Sequence, residues 1–379
     1  MKKTLAALAV LGAFAGTALA ADVTLYGVLD EGFLYTHVDS DAQGADAVDN
    51  LQMKSGMQAA SRFGFKGSED LGNGMKVSFI LESGFDADTG DLNQGKRLFG
   101  REASVSLSGA FGQVSFGRLG TLGQGVSSWG KGARLSAFGT SYTNYSVQAG
   151  AMHSTAGVRD NMVGYQTPSF AGFKAYAQYS FGTDAASGAE GTSKAERYYA
   201  LGATFDQGPF AATLVVDSVN YPSVSASGVV SDVDDSLTVT AGVSYDFQVA
   251  KVFVSGQYYD EVKIKSFGGL SDAATAVSLS SLANLKVKGW SSTVSAAVPL
   301  FGGAGLVGFG YLDANEADSQ DSEFDVSQYV VSAGYSYPLS KRTNIYGAVT
   351  YGKIDLDVKG GLEQKPSYAG ALVGVRHNF

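Results

Sequence analysis

From Leu237 to Phe247 the residues alternate without a break. Leu237, Val239, Ala241, Val243, Tyr245 and Phe247 are apolar, while Thr238, Thr240, Gly242, Ser244 and Asp246 are small or polar. Successive side chains of a strand point to opposite faces, so a period of two puts the apolar set on one face. The pattern recurs in Met75 to Phe85, where Met75, Val77, Phe79, Leu81 and Phe85 share one face and Lys76, Ser78 and Glu82 the other. After residue 20 no stretch carries eighteen apolar residues in a row, so the sequence offers no helix long enough to span a bilayer. Alternating segments of about ten residues between turn residues predict an all-β chain instead.

Such segments start near residues 23, 56, 75, 97, 112, 158, 174, 197, 210, 236, 252, 285, 306, 328, 344 and 368, which predicts about 16 antiparallel strands. Their connections alternate in length. Short ones are Gly67 to Gly74, Thr167 to Gly172, Asp206 to Pro209, Gln248 to Lys251, Leu300 to Gly305 and Pro338 to Thr343. Longer polar stretches separate them, such as Thr36 to Ser55, Asn220 to Asp235, Ser266 to Asn284 and Asp313 to Ser327. Short turns at one end and long loops at the other are the asymmetry of a transmembrane β-barrel. An even strand count lets the first and last strands pair and leaves no open edge. Fifty glycines against six prolines, with twenty tyrosines and twenty-two phenylalanines, suit many short strands with aromatic ends. A soluble sandwich shares the alternation, which does not by itself say which face meets water.

The two ends of the chain add to this. Lys2 and Lys3, the apolar run Leu5 to Ala15 and the small residues Ala18-Leu19-Ala20 read as a secretory signal peptide over residues 1–20, leaving 21–379 as a single barrel domain. The mature chain then has 25 basic against 36 acidic residues, a net charge of −11. That argues against any general affinity for nucleic acid, whose phosphates need a basic face. There is no cysteine, hence no disulfide framework. In the last strand Ala371, Val373, Val375, His377 and Phe379 share one face, and the chain stops at the aromatic residue. A terminal aromatic on an alternating strand resembles the signal read by the bacterial outer-membrane assembly machinery, with Phe379, His377 and Val375 as its residues.

Several blocks look familiar in order: Val23-Thr24-Leu25-Tyr26-Gly27-Val28-Leu29-Asp30, Ser61-Arg62-Phe63-Gly64-Phe65-Lys66-Gly67-Ser68-Glu69-Asp70-Leu71-Gly72, Leu81-Glu82-Ser83-Gly84-Phe85 and Phe99-Gly100-Arg101. Tyr165-Gln166-Thr167-Pro168-Ser169-Phe170-Ala171-Gly172-Phe173 and the closing Gly374-Val375-Arg376-His377-Asn378-Phe379 follow. Together they resemble the general porins of β-proteobacteria, of the kind found in Neisseria, Burkholderia and Comamonas. The blocks are densest before residue 182 and in the last six residues. Between them only the alternation continues. The resemblance implies a homotrimer of sixteen-stranded barrels in the Gram-negative outer membrane, in contact with lipid and lipopolysaccharide. It implies passive diffusion of small hydrophilic solutes and ions, with no cofactor. It also implies an inward-folded third long loop that narrows the pore, here residues 119–157.

The charges within that reading are unevenly placed. Residues 103–158 hold no Asp or Glu, where the chain-wide frequency of 36 in 379 would give about five. They do hold Arg118, Lys131, Arg134 and His153. By resemblance, Arg62, Arg101 and Arg159 form a basic cluster on the wall facing the loop. Arg62 alternates with Phe63 and Phe65, which fits an inward position; Arg101 shares parity with Val105 and Leu107, and Arg159 with Val163, which does not. The expectation is an anion-preferring constriction of Arg62, Arg101, Arg159, Arg118, Lys131 and Arg134, with Glu82, and Glu102 beside it, able to neutralise part of the charge.

Other motifs carry less. Gly303-Ala304-Gly305-Leu306-Val307-Gly308 has dinucleotide-binding spacing but no strand–turn–helix context. The acidic run Asp313 to Asp325 lacks the glycine and register of a calcium loop, and reads as a solvated external loop. Asn144-Tyr145-Ser146 is a sequon without meaning in a bacterial chain. His37, His153 and His377 include no pair at metal-ligand spacing, and there is no Gly-x-Ser-x-Gly, so no catalytic or metal site is expected. A substrate-specific channel and a structural or adhesive barrel are the alternatives. Sixteen strands enclose more space than side chains fill, which disfavours a plugged barrel.

Overall fold

The computed structural model describes residues 23–41, 46–123, 127–140, 157–181, 195–222, 224–226, 229–231, 234–263, 286–317, 324–359 and 362–379. The signal-peptide reading of 1–20, the stretch 266–284 and His153 lie outside the described residues.

The first half of the wall is β1 (Thr24–Asp39), β2 (Val48–Ser55), β3 (Arg62–Gly72), β4 (Met75–Gly84), β5 (Glu102–Gly109), β6 (Gly112–Gly120), β7 (Val158–Gln166) and β8 (Phe173–Ser180). It continues with β9 (Arg197–Gln207) and β10 (Phe210–Asn220); β11 (Val224–Ala226) and β12 (Val229–Ser231) form a small separate hairpin. The second half is β13 (Leu237–Asp246), β14 (Lys251–Lys263), β15 (Lys286–Leu300), β16 (Gly303–Glu316), β17 (Phe324–Pro338), β18 (Thr343–Val358), β19 (Leu362–Gln364) and β20 (Ser367–Asn378).

Each wall strand pairs antiparallel with its neighbours, and β1 closes the ring against β20 from Val28↔Asn378 to Asp39↔Ser367. β2 and β3 occupy one position in the ring, both pairing β1, and β19 and β20 share another beside β18. Among the described residues the ring is therefore a closed sixteen-stranded antiparallel barrel.

The alternation resolves inside out. Lumen-facing Ser104, Ser106, Ser115, Thr240, Ser244, Thr293, Ser332 and Thr350 are buried, while Val105, Leu107, Phe116, Val243, Val294, Val331 and Val373 stand exposed on the outer face. Water would not tolerate so continuous an apolar band; lipid does. Aromatic rings rim the band at two levels. At one level Trp290 and Tyr311 lie 5.4 Å apart, and Tyr179 and Tyr199 5.2 Å. At the short-turn end Tyr245 meets Phe247 at 4.6 Å, Tyr165 donates to the Phe111 carbonyl and Tyr335 to those of Leu300 and Phe301. Tyr329 and Tyr337 bound the band on β17, eight residues apart. At about 3.3 Å per residue and a tilt of about 40° they differ by roughly 20 Å in height, close to a hydrocarbon core.

Val331→Lys, on this outer face, is expected to cost about 2–4 kcal/mol in a bilayer. Ser332→Ala, one residue on and lumen-facing, loses only the hydrogen bond to Thr350 Oγ1 and should cost about 1 kcal/mol. Urea titration of both variants folded into lipid checks the difference.

Three expectations need correction. The loop predicted over Thr36 to Ser55 shrinks to residues 40–47, because β1 and β2 continue past the polar run. Tyr35 OH and His37 Nδ1 both reach Asp49 Oδ1, at 2.5 and 2.9 Å, and hold that extension together. Likewise β16 runs to Glu316 and β17 starts at Phe324. Asp313 alternates with buried Leu312 and Ala314, and Asp325 with buried Phe324 and Val326, so strand pairing continues through these charges. The strands expected from 56 and 97 begin at Arg62 and Glu102, after irregular segments.

Candidate functional site on the lumen wall

Arg62 starts β3 on the same face as Gly64 and Lys66, cross-strand from Val28 and Gly84. Its Nε lies 3.6 Å from Glu82 Oε2, and Nη1 donates to the Ala60 carbonyl at 2.9 Å. Arg101 reaches the other oxygen of the same carboxylate, Nε to Glu82 Oε1 at 2.7 Å, and is only 4% exposed. Tyr26 OH donates to Glu82 Oε2 at 3.0 Å. Two guanidinium groups thus share one carboxylate, leaving a net charge of +1.

The parity difficulty at Arg101 vanishes because β5 starts one residue later. Arg101 occupies a bend, its backbone N–H bonded to the Glu82 carbonyl and its side chain laid across Gly84. Arg159 is turned inward by a different device. Two residues of β7, Asp160 and Asn161, stand opposite Arg118 alone, between the pairs Gly117↔Met162 and Leu119↔Arg159. Asn161 takes φ +53° there, the left-handed conformation that such bulges use. The extra residue flips the face, so Arg159 joins the buried Leu119 and lies 5.3 Å from the ring centre of Tyr198. Its Nη1 is 2.7 Å from Glu196 Oε1.

Arg118 is not brought to this group. It pairs with Ala103 and shares its face with Phe116, opposite to Ser115 and Gly117. There it binds Asp160 at 2.6 Å, as Arg97 does from the other side. Strand parity in the sequence would have placed it outward. Val375, His377 and Phe379 also face outward, His377 in contact with Thr343 Oγ1 at 2.9 Å.

The described part of the connection after β6 lies against lumen-facing positions around much of the ring. The Leu122 N–H donates to Gln178 on β8, and Ser128 donates to Glu102 on β5 through both N–H and Oγ. Glu102 is thus held to this segment by hydrogen bonds from neutral groups, which leave its charge in place beside Glu82, its cross-strand partner. The Ala137 N–H donates to Ser295 on β15. Apolar side chains sit over glycines: Trp129 on Gly164, Leu122 on Gly202, Leu135 on Gly242 and Phe138 on Gly308. A Cβ at Gly164 would fall 2.9 Å from the Trp129 ring, and one at Gly242 2.6 Å from Leu135, so any larger residue would push the segment off the wall.

On this segment Arg134 binds Asp206 at 2.6 Å and Thr213 Oγ1 at 3.0 Å. Lys131 lies with Nζ 4.5 Å from the Tyr176 ring centre. Burial, with the fields of Arg134 and Lys174, lowers its ammonium to about 8. The absence of acid in 103–158 therefore does not make this a purely basic site. Glu82, Glu196 and Asp206 come from elsewhere in the chain and offset Arg62 and Arg101, Arg159 and Arg134 respectively.

A family model described as Gram-negative porin matches residues 6–356. The chain belongs to the Gram-negative porins. An outer membrane porin protein of Bordetella pertussis is 34% identical over 409 residues, with 100% of both chains covered. Outer membrane porin protein 32 of Delftia acidovorans is 31% identical over 395 residues, again covering 100% of both. Among solved structures, the anion-selective porin from Comamonas acidovorans superposes with a TM-score of 0.64 at 26% identity, over 95% of this chain and 100% of that one. OmpT of Vibrio cholerae, in a loop-deletion form, gives 0.62 over 95% of this chain and 100% of that one; at 16% identity it speaks for the fold alone. This porin is an integral protein of the Gram-negative outer membrane, a channel and not an enzyme, and its barrel wall carries the basic group just described.

Proposed function

We propose that this porin is an anion-preferring diffusion channel for small hydrophilic solutes, narrowed by residues 119–157 folded inward as a constricting loop. The observation that carries the preference is the shared carboxylate: Arg62 and Arg101 meet a single Glu82 on the lumen wall. A group with residual positive charge in a confined, partly desolvated passage lowers the barrier for anions and raises it for cations. Arg159, Lys131 and Arg134 extend this basic surface, Arg159 and Arg134 with their charge offset; Arg118 takes no part. The wall contacts of Leu122, Ser128, Trp129, Leu135 and Phe138 support the constricting role of the loop. Anion selectivity in the Comamonas acidovorans porin is consistent with it.

By resemblance the assembled form is a homotrimer in contact with lipopolysaccharide. Residues 1–20 are the cleaved signal peptide, and the end of β20 with Phe379 is read by the assembly machinery. Liposome swelling tests the channel itself. Neutral sugars should enter down to a size cut-off, and organic anions should enter faster than cations of equal size. Equal rates for both charges would remove the proposed preference.

Lys131 adds a pH dependence. Its folded ammonium titrates near 8, below the ordinary lysine value, so it is charged below that pH and neutral above it. Anion preference is expected to decline as pH rises from 7 to 9. The decline should be absent in Lys131→Gln, when zero-current potentials are recorded across that range.

A further inference from the structure

We propose that the periplasmic mouth of the barrel holds a second anion site, adjoining the Arg62 and Arg101 group, which takes small multivalent oxyanions such as phosphate or polycarboxylates. A recess of about 450 Å³ opens there between the ends of β16 to β20, lined by Lys341, Arg342, Arg376, Asn344, Asn378 and Gln58 among others. No carboxylate lines it. Cations elsewhere on the lumen wall have acids beside them: Arg62 and Arg101 share Glu82, Arg159 has Glu196 and Arg134 has Asp206. Among the described residues Lys341, Arg342 and Arg376 make no salt bridge, and Arg376 has only the Asp30 carboxylate near it.

Arg376 points into the lumen from β20, with its Nη2 donating to Asn378 Oδ1 at 3.3 Å. Its Nε is buried and makes no hydrogen bond. A buried guanidinium donor without a partner is costly, and an oxyanion is the ligand that its fork geometry fits. The nearest acid across the strand pairing is Asp30, the register partner of Arg376. Its carboxylate is already engaged by Tyr346 OH and by the N–H groups of Gln58 and Ala59. One engaged carboxylate against three cations leaves the recess positive. Asn344 and Gln58 are fixed to each other and to Ser336, so the polar floor is ordered before any ligand arrives.

The site lies at the end of the short turns, so it meets solutes from the periplasm first. The consequence is sidedness: a multivalent oxyanion entering from the periplasm is held at the mouth and slows the chloride current behind it.

The test uses the porin in a planar bilayer at fixed chloride, with inorganic phosphate added to one side at a time. The chain has no cysteine, so an Asp46→Cys background and an impermeant thiol reagent report which side is external. Phosphate from the periplasmic side should block saturably and from the external side more weakly. Lys341→Gln with Arg342→Gln, both on an exposed turn, should raise the half-blocking concentration about tenfold. The same pair should leave the chloride-to-potassium preference set by Arg62 and Arg101 almost unchanged. Arg376→Lys gives a second reading, since it keeps the charge and removes the fork. Equal block from both sides, or block indifferent to the double variant, overturns the site while leaving the anion preference standing. Loss of preference with block retained would instead count against the constriction.

Discussion

Removing Phe379 is expected to cut the amount of folded porin in the outer membrane by on the order of tenfold, while export to the periplasm continues. The last residue closes the seam between the two ends of the chain. Its N–H donates to the Gly27 carbonyl at 3.1 Å, and its carbonyl accepts from the Gly27 N–H at 3.0 Å. Its ring lies so close over Gly27 that a Cβ there would fall 2.3 Å from Cζ. Deletion loses two hydrogen bonds at about 1 kcal/mol each and a half-buried aromatic contact of roughly 1 kcal/mol. It also leaves Gly27 without its partner across the seam. Phe379→Ala keeps the backbone pair and should lie between the two. Gly27→Val approaches the same contact from the other strand. Heat-modifiable porin in isolated outer membranes is the measurement, and normal levels in the deletion would contradict this account of closure.

Arg62→Glu is expected to abolish or invert the ion preference. The wall group of Arg62, Arg101 and Glu82 goes from a net +1 to −1 without any change in strand pairing. Even at the dielectric constant of water, a two-unit change about 6 Å from a passing ion is worth roughly 1.4 kcal/mol, or about tenfold in relative permeability. A narrower, less polarisable passage would enlarge it. Arg62→Gln should give about half of that energy. An unchanged permeability ratio in Arg62→Glu would place the selecting charges elsewhere.

Much of the barrel was legible because a strand leaves a period of two in any single sequence. The turns at Thr167 to Gly172 and Asp206 to Pro209 are bounded within a residue or so by β7, β8, β9 and β10. What periodicity cannot show is where it is interrupted. The bulge at Asp160 and Asn161 changes the face of Arg159 with one left-handed residue, and Asn161 is among the residue types that adopt that conformation readily. Arg101 escapes parity because the strand has not yet begun. Arg118, two residues after Phe116 and four after Val114, carried its outward position openly in the alternation. The acids that offset the arginines were hidden for another reason. Glu196 and Asp206 lie 37 and 72 residues from the cations they bind, and only the closed ring brings them together. Arg376 was readable too: it alternates with outward Val375 and His377, which makes it a lumen residue.

The central claim is that the lumen of an acidic chain favours anions, and one recording tests it most directly. The zero-current potential of the natural porin is measured at pH 7 across a potassium chloride gradient. The account predicts the sign of chloride preference, stronger in dilute salt, where the screening length is about 10 Å at 0.1 M against about 3 Å at 1 M. A potential with the sign of potassium preference, at any of these salt concentrations, would contradict it.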